Sequence, residues 1–134
     1  MAKLKYFFLT VDIGFVAYWV MAWLHLFPRE LLFKDYDDPI LGAWNFSFLP
    51  LDLIVSASGL GSVWAHSRGR PVWHPLAIVS LALTFCSGLQ AIAFWALRGD
   101  FDPTWWAPNL FLMMYPPFFL VQMLREAGAP PNRR

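Results

Sequence analysis

The chain has 134 residues, of which 58% are hydrophobic and only 14% charged, with a formal net charge of +1. Soluble domains carry roughly 45–50% apolar and about 25% charged residues, so the composition excludes a water-soluble globule and a disordered chain. The near-neutral balance leaves no electrostatic footprint for nucleic acid, so none is expected as a partner.

The first apolar run covers residues 6–27, 22 residues containing one acid, Asp12. About 20 residues suffice to cross ~30 Å of hydrocarbon as a helix. The run is too long and too acidic for a cleavable signal, and no small-x-small site precedes its end. Asp12 lies six residues in, roughly 9 Å from the nearer membrane boundary at ~1.5 Å per residue. It is expected to pair with a snorkelling Lys5, Arg68, Arg70 or Arg125. The alternative is a proton or cation site, the default for an intramembrane acid. Tyr18 and His25 are seven residues apart and so share a helix face.

The second run, residues 44–65, again holds one acid, Asp52. Pro50 cannot donate to the carbonyl of Phe46, which predicts a bend or opening there. Asn45, Asp52 and Gly59 recur at a spacing of seven, with Ser56 four after Asp52, giving one polar stripe turned into a bundle. Between the second and third runs, His66, Arg68, Arg70 and His74 suit lipid head groups. The third run, residues 75–97, and the fourth, residues 105–124, contain no Asp, Glu, Lys or Arg. Gln90 and Tyr115 fall within one to two turns of the level of Asp52. Pro116 and Pro117 predict a second break.

Four such runs predict an all-α integral membrane protein, a four-helix up-down-up-down bundle forming one domain over residues 1–127. Residues 128–134 read as a flexible basic tail. Lys3, Lys5, Arg68, Arg70, Arg125, Arg133 and Arg134 fall on one side, against Arg29, Lys34 and Arg98 on the other. The positive-inside bias puts both termini in the cytoplasm of a cell whose inner (plasma) membrane holds the protein.

The outer half of the bundle should therefore gather Asp52, Tyr18, Asn45, Gln90, Tyr115 and His25. Interhelical hydrogen bonds of about 0.6 kcal/mol each would explain the amides and hydroxyls. A buried acid costs more than such glue requires, so a ligand pocket anchored on Asp52 competes with that reading. There is no Gly-rich phosphate loop, no HExxH and no G-x-S-x-G, so no catalytic residue is assigned. Cys86 is the single cysteine, and His25 with Asp52 makes only two candidate ligands. No metal and no cofactor are expected.

Two resemblances lie in these residues. Phe7, Asp12, Gly14, Phe15, Tyr18 and Trp19, then Leu32-Phe33, Asp35-Tyr36, Trp44-Asn45-Phe46-Ser47-Phe48 and Pro50-Leu51-Asp52-Leu53, resemble the YvaD-like group of small bacterial membrane proteins. That likeness spans most of the chain and implies no particular chemistry. Pro28-Arg29-Glu30-Leu31, Asp38-Pro39, Trp44, Ser47-Phe48-Leu49, Asp52-Leu53 and the Pro108, Pro116, Met123-Leu124-Arg125 series are similar, more distantly, to the EXPERA (emopamil-binding) superfamily. This second resemblance implies a four-helix membrane fold with a hydrophobic sterol- or drug-binding pocket, in which Asp52 takes the place of the pocket acid in helix two. Lipid isomerase chemistry is implied by that resemblance alone. The helix-one acid of its drug-binding members corresponds to Ala22, and the isomerase set of His and paired Glu is not evident.

The leading expectation is binding of a hydrophobic small molecule or membrane lipid, sterol- or isoprenoid-like, in a pocket anchored by Asp52. The alternatives are a proton-coupled small multidrug-type exporter acting as a homodimer, with Asp12 as coupling group, and a non-catalytic accessory subunit of a membrane complex.

Overall fold

The structure, a computed structural model, describes residues 1–32 and 34–128. Phe33 and the 129–134 portion of the expected basic tail lie outside the described residues. The described chain is helical, in the order α1 (Leu4–Trp23), α2 (Arg29–Leu32), α3 (Pro39–Phe46), α4 (Phe48–Ser67), α5 (Trp73–Leu97) and α6 (Pro103–Gly128), with no strand among the described residues. Four stretches are long and apolar enough to cross a membrane: Leu4–Trp23, Pro39–Ser67, Trp73–Leu97 and Pro103–Glu126. Val20, Ile54, Val79, Phe118 and Val121 stand exposed on these stretches. A belt of that chemistry belongs in hydrocarbon, and the protein is a multi-pass membrane protein.

Local sequence sets the helix ends. The second span is interrupted at Ser47, between α3 and α4. Pro50 stands in the first turn of α4, where a missing N–H is tolerated, and the lost bond is the one to Phe46, the last residue of α3. Asp38 caps α3, its carboxylate accepting from the Ile40 amide at 2.8 Å with Pro39 following. The helix α1 stops at Trp23, four residues short of the 6–27 run. There His25 takes a positive φ of 53°, the His25 amide donates to the Ala22 carbonyl and the Leu26 amide to that of Met21. This is a Schellman ending with histidine where glycine is usual. Gly69 and Gly99 end α4 and α5 in the same way, at φ 63° and 68°.

The break expected at Pro116 and Pro117 is absent: α6 is assigned as one helix across Pro108, Pro116 and Pro117. Each proline removes one hydrogen bond but keeps a helical φ, and membrane helices tolerate this where neighbours clamp them. Here the clamp is close packing one turn earlier, against Gly88 of α5. A Cβ on Gly88 would stand 2.7 Å from the Asn109 carbonyl oxygen and 2.7 Å from the Met113 amide nitrogen.

Helix α4 packs on α1 and α5, and α5 on α6. Aromatic contacts bring α6 to α1, with Phe7 stacked on Tyr115 at 5.0 Å and edge-on to Phe119 at 5.1 Å. The interior is lined with small and hydroxyl residues. Ser56, Gly59 and Ser62 repeat along α4, and Ser80, Thr84 and Ser87 along α5, all buried. Small residues let membrane helices approach closely, and their hydroxyls find backbone acceptors across the interface. Ser80 donates to the Val55 carbonyl at 3.2 Å and Ser62 to that of Trp73 at 2.8 Å.

Candidate functional site

A cavity of about 340 Å³ opens among α1, α3, α4, α5 and α6. Phe15, Trp44, Phe48, Trp95, Trp105 and Leu112 form its apolar wall, and Asp52, Ser87, Tyr18, Asn45, Asn109 and Lys34 bring polar groups to it. Its size falls at the lower end for small-molecule sites, and the pairing of apolar wall with few polar groups is typical of them.

Asp52 is buried, and no ion pair involves it among the described residues. The indole Nε1–H of Trp19 donates to Oδ2 at 2.9 Å, and the Ser87 hydroxyl donates to Oδ1 at a longer 3.4 Å. A carboxyl group offers about four acceptor positions. Two are taken, one of them weakly, so Asp52 retains capacity for a donor entering the cavity. Tyr18 and Asn45 are joined: the Tyr18 hydroxyl donates to the Leu32 carbonyl at 2.8 Å and accepts from Asn45 Nδ2 at 3.4 Å. That pair ties Leu32 to α1 and α3 and holds it, itself on the cavity wall, against Trp19 and Ala22.

Lys34 and Asp35 are held from a second side. Lys34 Nζ lies 2.5 Å from Asp100 Oδ2 and 3.7 Å from Asp102 Oδ2, and Arg98 lies 3.5 Å from Asp35. The ammonium of Lys34 holds the Asp100 carboxyl below its ordinary range, and the same bond raises Lys34. Asp102 is lowered chiefly by the Thr104 amide, which donates to it at 2.9 Å at the start of α6. These pairs join Lys34 and Asp35 to the α5–α6 turn beside the cavity, and Lys34 also lies over the Trp95 ring at 5.9 Å.

Three of the residues expected in one cluster, Asp52, Tyr18 and Asn45, do line the cavity. Gln90, Tyr115 and His25 do not. Gln90 is exposed, because Ser87 faces Asp52 and Gly88 faces α6, leaving position 90 on the outward side of α5. His25 is exposed past the end of α1, its ring against the Trp23 carbonyl at 3.0 Å. Tyr115 is buried in the other half of the bundle, stacked on Phe7. The residues that sequence reasoning passed over are Trp19, Ser87, Asn109 and Lys34. A signal existed for Ser87, since Ser80, Thr84 and Ser87 fall on one helical stripe.

Asp12 stands apart from the cavity. The expected pairing with a snorkelling lysine or arginine is overturned: Asp12 is 0% exposed, and neither of its carboxyl oxygens has a hydrogen-bond partner. The ion pairs found among the described residues lie in the Lys34, Arg98 and Asp100 region. The reason is depth and direction. Asp12 lies eight residues past the start of α1, roughly 12 Å along it, and faces α4, where its carboxyl meets Gly59.

Replacing His25 with glycine relieves a left-handed residue that costs roughly 1–2 kcal/mol. His25→Gly is therefore expected to raise the unfolding midpoint in detergent, followed by circular dichroism. An unchanged or lower midpoint would mean that the positive φ of His25 carries no strain.

Residues 4–129 match the model of a protein family described as a family of unknown function (DUF5360). The chain is 46% identical over 126 residues to the uncharacterized protein YvaD of Bacillus subtilis (strain 168), covering 94% of this chain and 95% of that protein. No solved structure matches. The chain belongs to the DUF5360 family.

Proposed function

We propose that this DUF5360 protein binds a hydrophobic small molecule or lipid, sterol- or isoprenoid-like, within the membrane, with Asp52 as polar anchor. In this reading the bundle runs up-down-up-down in the bacterial inner membrane with both termini cytoplasmic, so the cavity lies in the outer half. The observation that carries it is a carboxyl group with unused acceptor capacity on the wall of an aromatic cavity of about 340 Å³.

Three features support the ligand class. The wall is mainly apolar, so the guest is mainly apolar. Asp52, Tyr18 and Asn45 form the polar floor, which suits one donor group, an amine or hydroxyl, on the guest. Asp52 and its neighbour Leu53 are among the residues that resemble the EXPERA pattern. The orientation rests on seven basic residues against three.

Native mass spectrometry of gently purified protein tests the reading. The expected result is a co-purifying hydrophobic molecule that is lost when Ala91, on the cavity wall, is replaced by phenylalanine. Protein free of any guest, and unaffected in thermal stability by added lipophiles, would overturn it. The same spectrum reads the oligomeric state.

A further inference from the structure

We propose that Asp12 is a buried proton-binding site, carrying a neutral carboxylic acid at the centre of the four-helix contact. This site is separate from the Asp52 cavity.

The argument is one of unmatched hydrogen-bond chemistry. Asp12 is 0% exposed, with both carboxyl oxygens unpartnered. All four spans meet here. Asp12 comes from α1 and Gly59 from α4; a Cβ on Gly59 would collide with the carboxyl of Asp12 and stand 2.9 Å from Ser80 Oγ of α5. Tyr115 of α6 joins α1 through its stack on Phe7 at 5.0 Å. An ionised carboxylate needs donors, and none lies within hydrogen-bond range of either Asp12 oxygen. Ser56 directs its hydrogen to the Asp12 main-chain carbonyl at 3.1 Å, Ser80 to the Val55 carbonyl at 3.2 Å, and Thr84 to the Ser80 carbonyl at 2.8 Å. Every one of these hydroxyls therefore turns oxygen lone pairs, not hydrogens, toward the interior.

Charge gives the same answer. Beside Asp12 stand Ser56, Gly59 and Ser80, with Thr84 and Tyr115 as further buried groups of α5 and α6. Of these only Tyr115 can titrate, and it can add no positive charge. An isolated carboxylate in such surroundings takes up a proton rather than remain charged. The neutral acid has an O–H that can donate to a lone pair, which the layer offers in excess. A proton needs no extra room, and the carboxyl is pressed against the α4 backbone at Gly59.

Infrared difference spectroscopy of the full chain in liposomes tests this. The wild type minus Asp12→Asn spectrum is expected to show, at neutral pH, the carbonyl-stretch band of a protonated carboxylic acid. The band should shift on transfer to deuterium oxide, which shows that the proton exchanges. In Tyr115→Phe it should change frequency while persisting. A band absent at neutral pH, or abolished by added sodium chloride at constant ionic strength, would overturn the proposal, the second outcome marking a metal-cation site instead. Should Asp12→Asn fail to fold, the wild type treated with dicyclohexylcarbodiimide replaces the comparison. That reagent adds across the O–H of a protonated buried carboxyl, and peptide mapping is expected to find the adduct on Asp12. An unmodified Asp12 in folded protein would refute it. Neither result depends on whether the Asp52 cavity holds a guest.

Discussion

Asp52→Asn is expected to lower the affinity for an amine-bearing lipophile by about 10- to 100-fold while leaving the protein folded. A hydrogen bond to a charged group contributes about 1.5–3 kcal/mol, and each 1.4 kcal/mol is tenfold in affinity. Asparagine keeps one carbonyl oxygen, so the 2.9 Å bond from the Trp19 indole survives. It loses one acceptor and the capacity to carry a negative charge, the properties that an ammonium group would use. A neutral hydroxyl-bearing guest should suffer less, tenfold or below, because a neutral hydrogen bond contributes about 1 kcal/mol. Titration of the purified protein in detergent, read through the fluorescence of Trp19 and the cavity tryptophans, measures both. Unchanged affinity for both guests would remove Asp52 from the binding role. Asp12→Asn serves as the comparison, since Asp12 has no place on the cavity wall.

The residues that sequence periodicity located are those whose helix phase alone decides their position. Asn45 and Asp52, seven apart, reach the same cavity although the helix is interrupted at Ser47 between them. One interruption near the start of the span leaves the phase almost unchanged. Depth is harder to read than phase, because each residue of error in a helix end moves a side chain ~1.5 Å. Tyr115 shows the consequence. It lies twelve residues past Pro103, roughly 18 Å along α6, and this carries it past the level of Asp52 to Phe7 near the start of α1. Gln90 matches Asp52 in depth, but its helix phase turns it outward. Lys34 was illegible for a different reason: it sits in a connection with no period, and its partners, Asp100 and Asp102, are 66 and 68 residues away. Trp19 belongs to the many tryptophans that lipid boundaries use. Only the need of a buried carboxyl for a donor singles out its indole N–H.

Gly88→Val is expected to destabilise the bundle by about 3 kcal/mol or more, and to weaken ligand binding with it. Overpacking a filled interface typically costs about 1–3 kcal/mol. Here the atoms in the way are main chain, the Asn109 carbonyl oxygen and Met113 amide nitrogen at 2.7 Å and the Leu112 carbonyl carbon at 3.0 Å. Main chain cannot rotate aside as a side chain can, so α6 must move away from α5. Alanine already requires part of that movement, and valine adds two more carbons at the same point. Gly14, on α1, has nothing within 4 Å of its Cβ position. Gly14→Ala is therefore the matched control, expected to be neutral or to stabilise by up to about 1 kcal/mol through helix propensity. Unfolding in mixed micelles, followed by circular dichroism, compares the three proteins. The link to function is geometric: Asn109 and Leu112, whose main chain meets Gly88, also line the cavity from α6, while Ser87, beside Gly88, bonds Asp52. Separating the helices at Gly88 thus lengthens an already long 3.4 Å bond and opens the wall at the level of Asp52. Equal stability of Gly88→Val and Gly14→Ala would mean that α5 and α6 do not meet at this glycine.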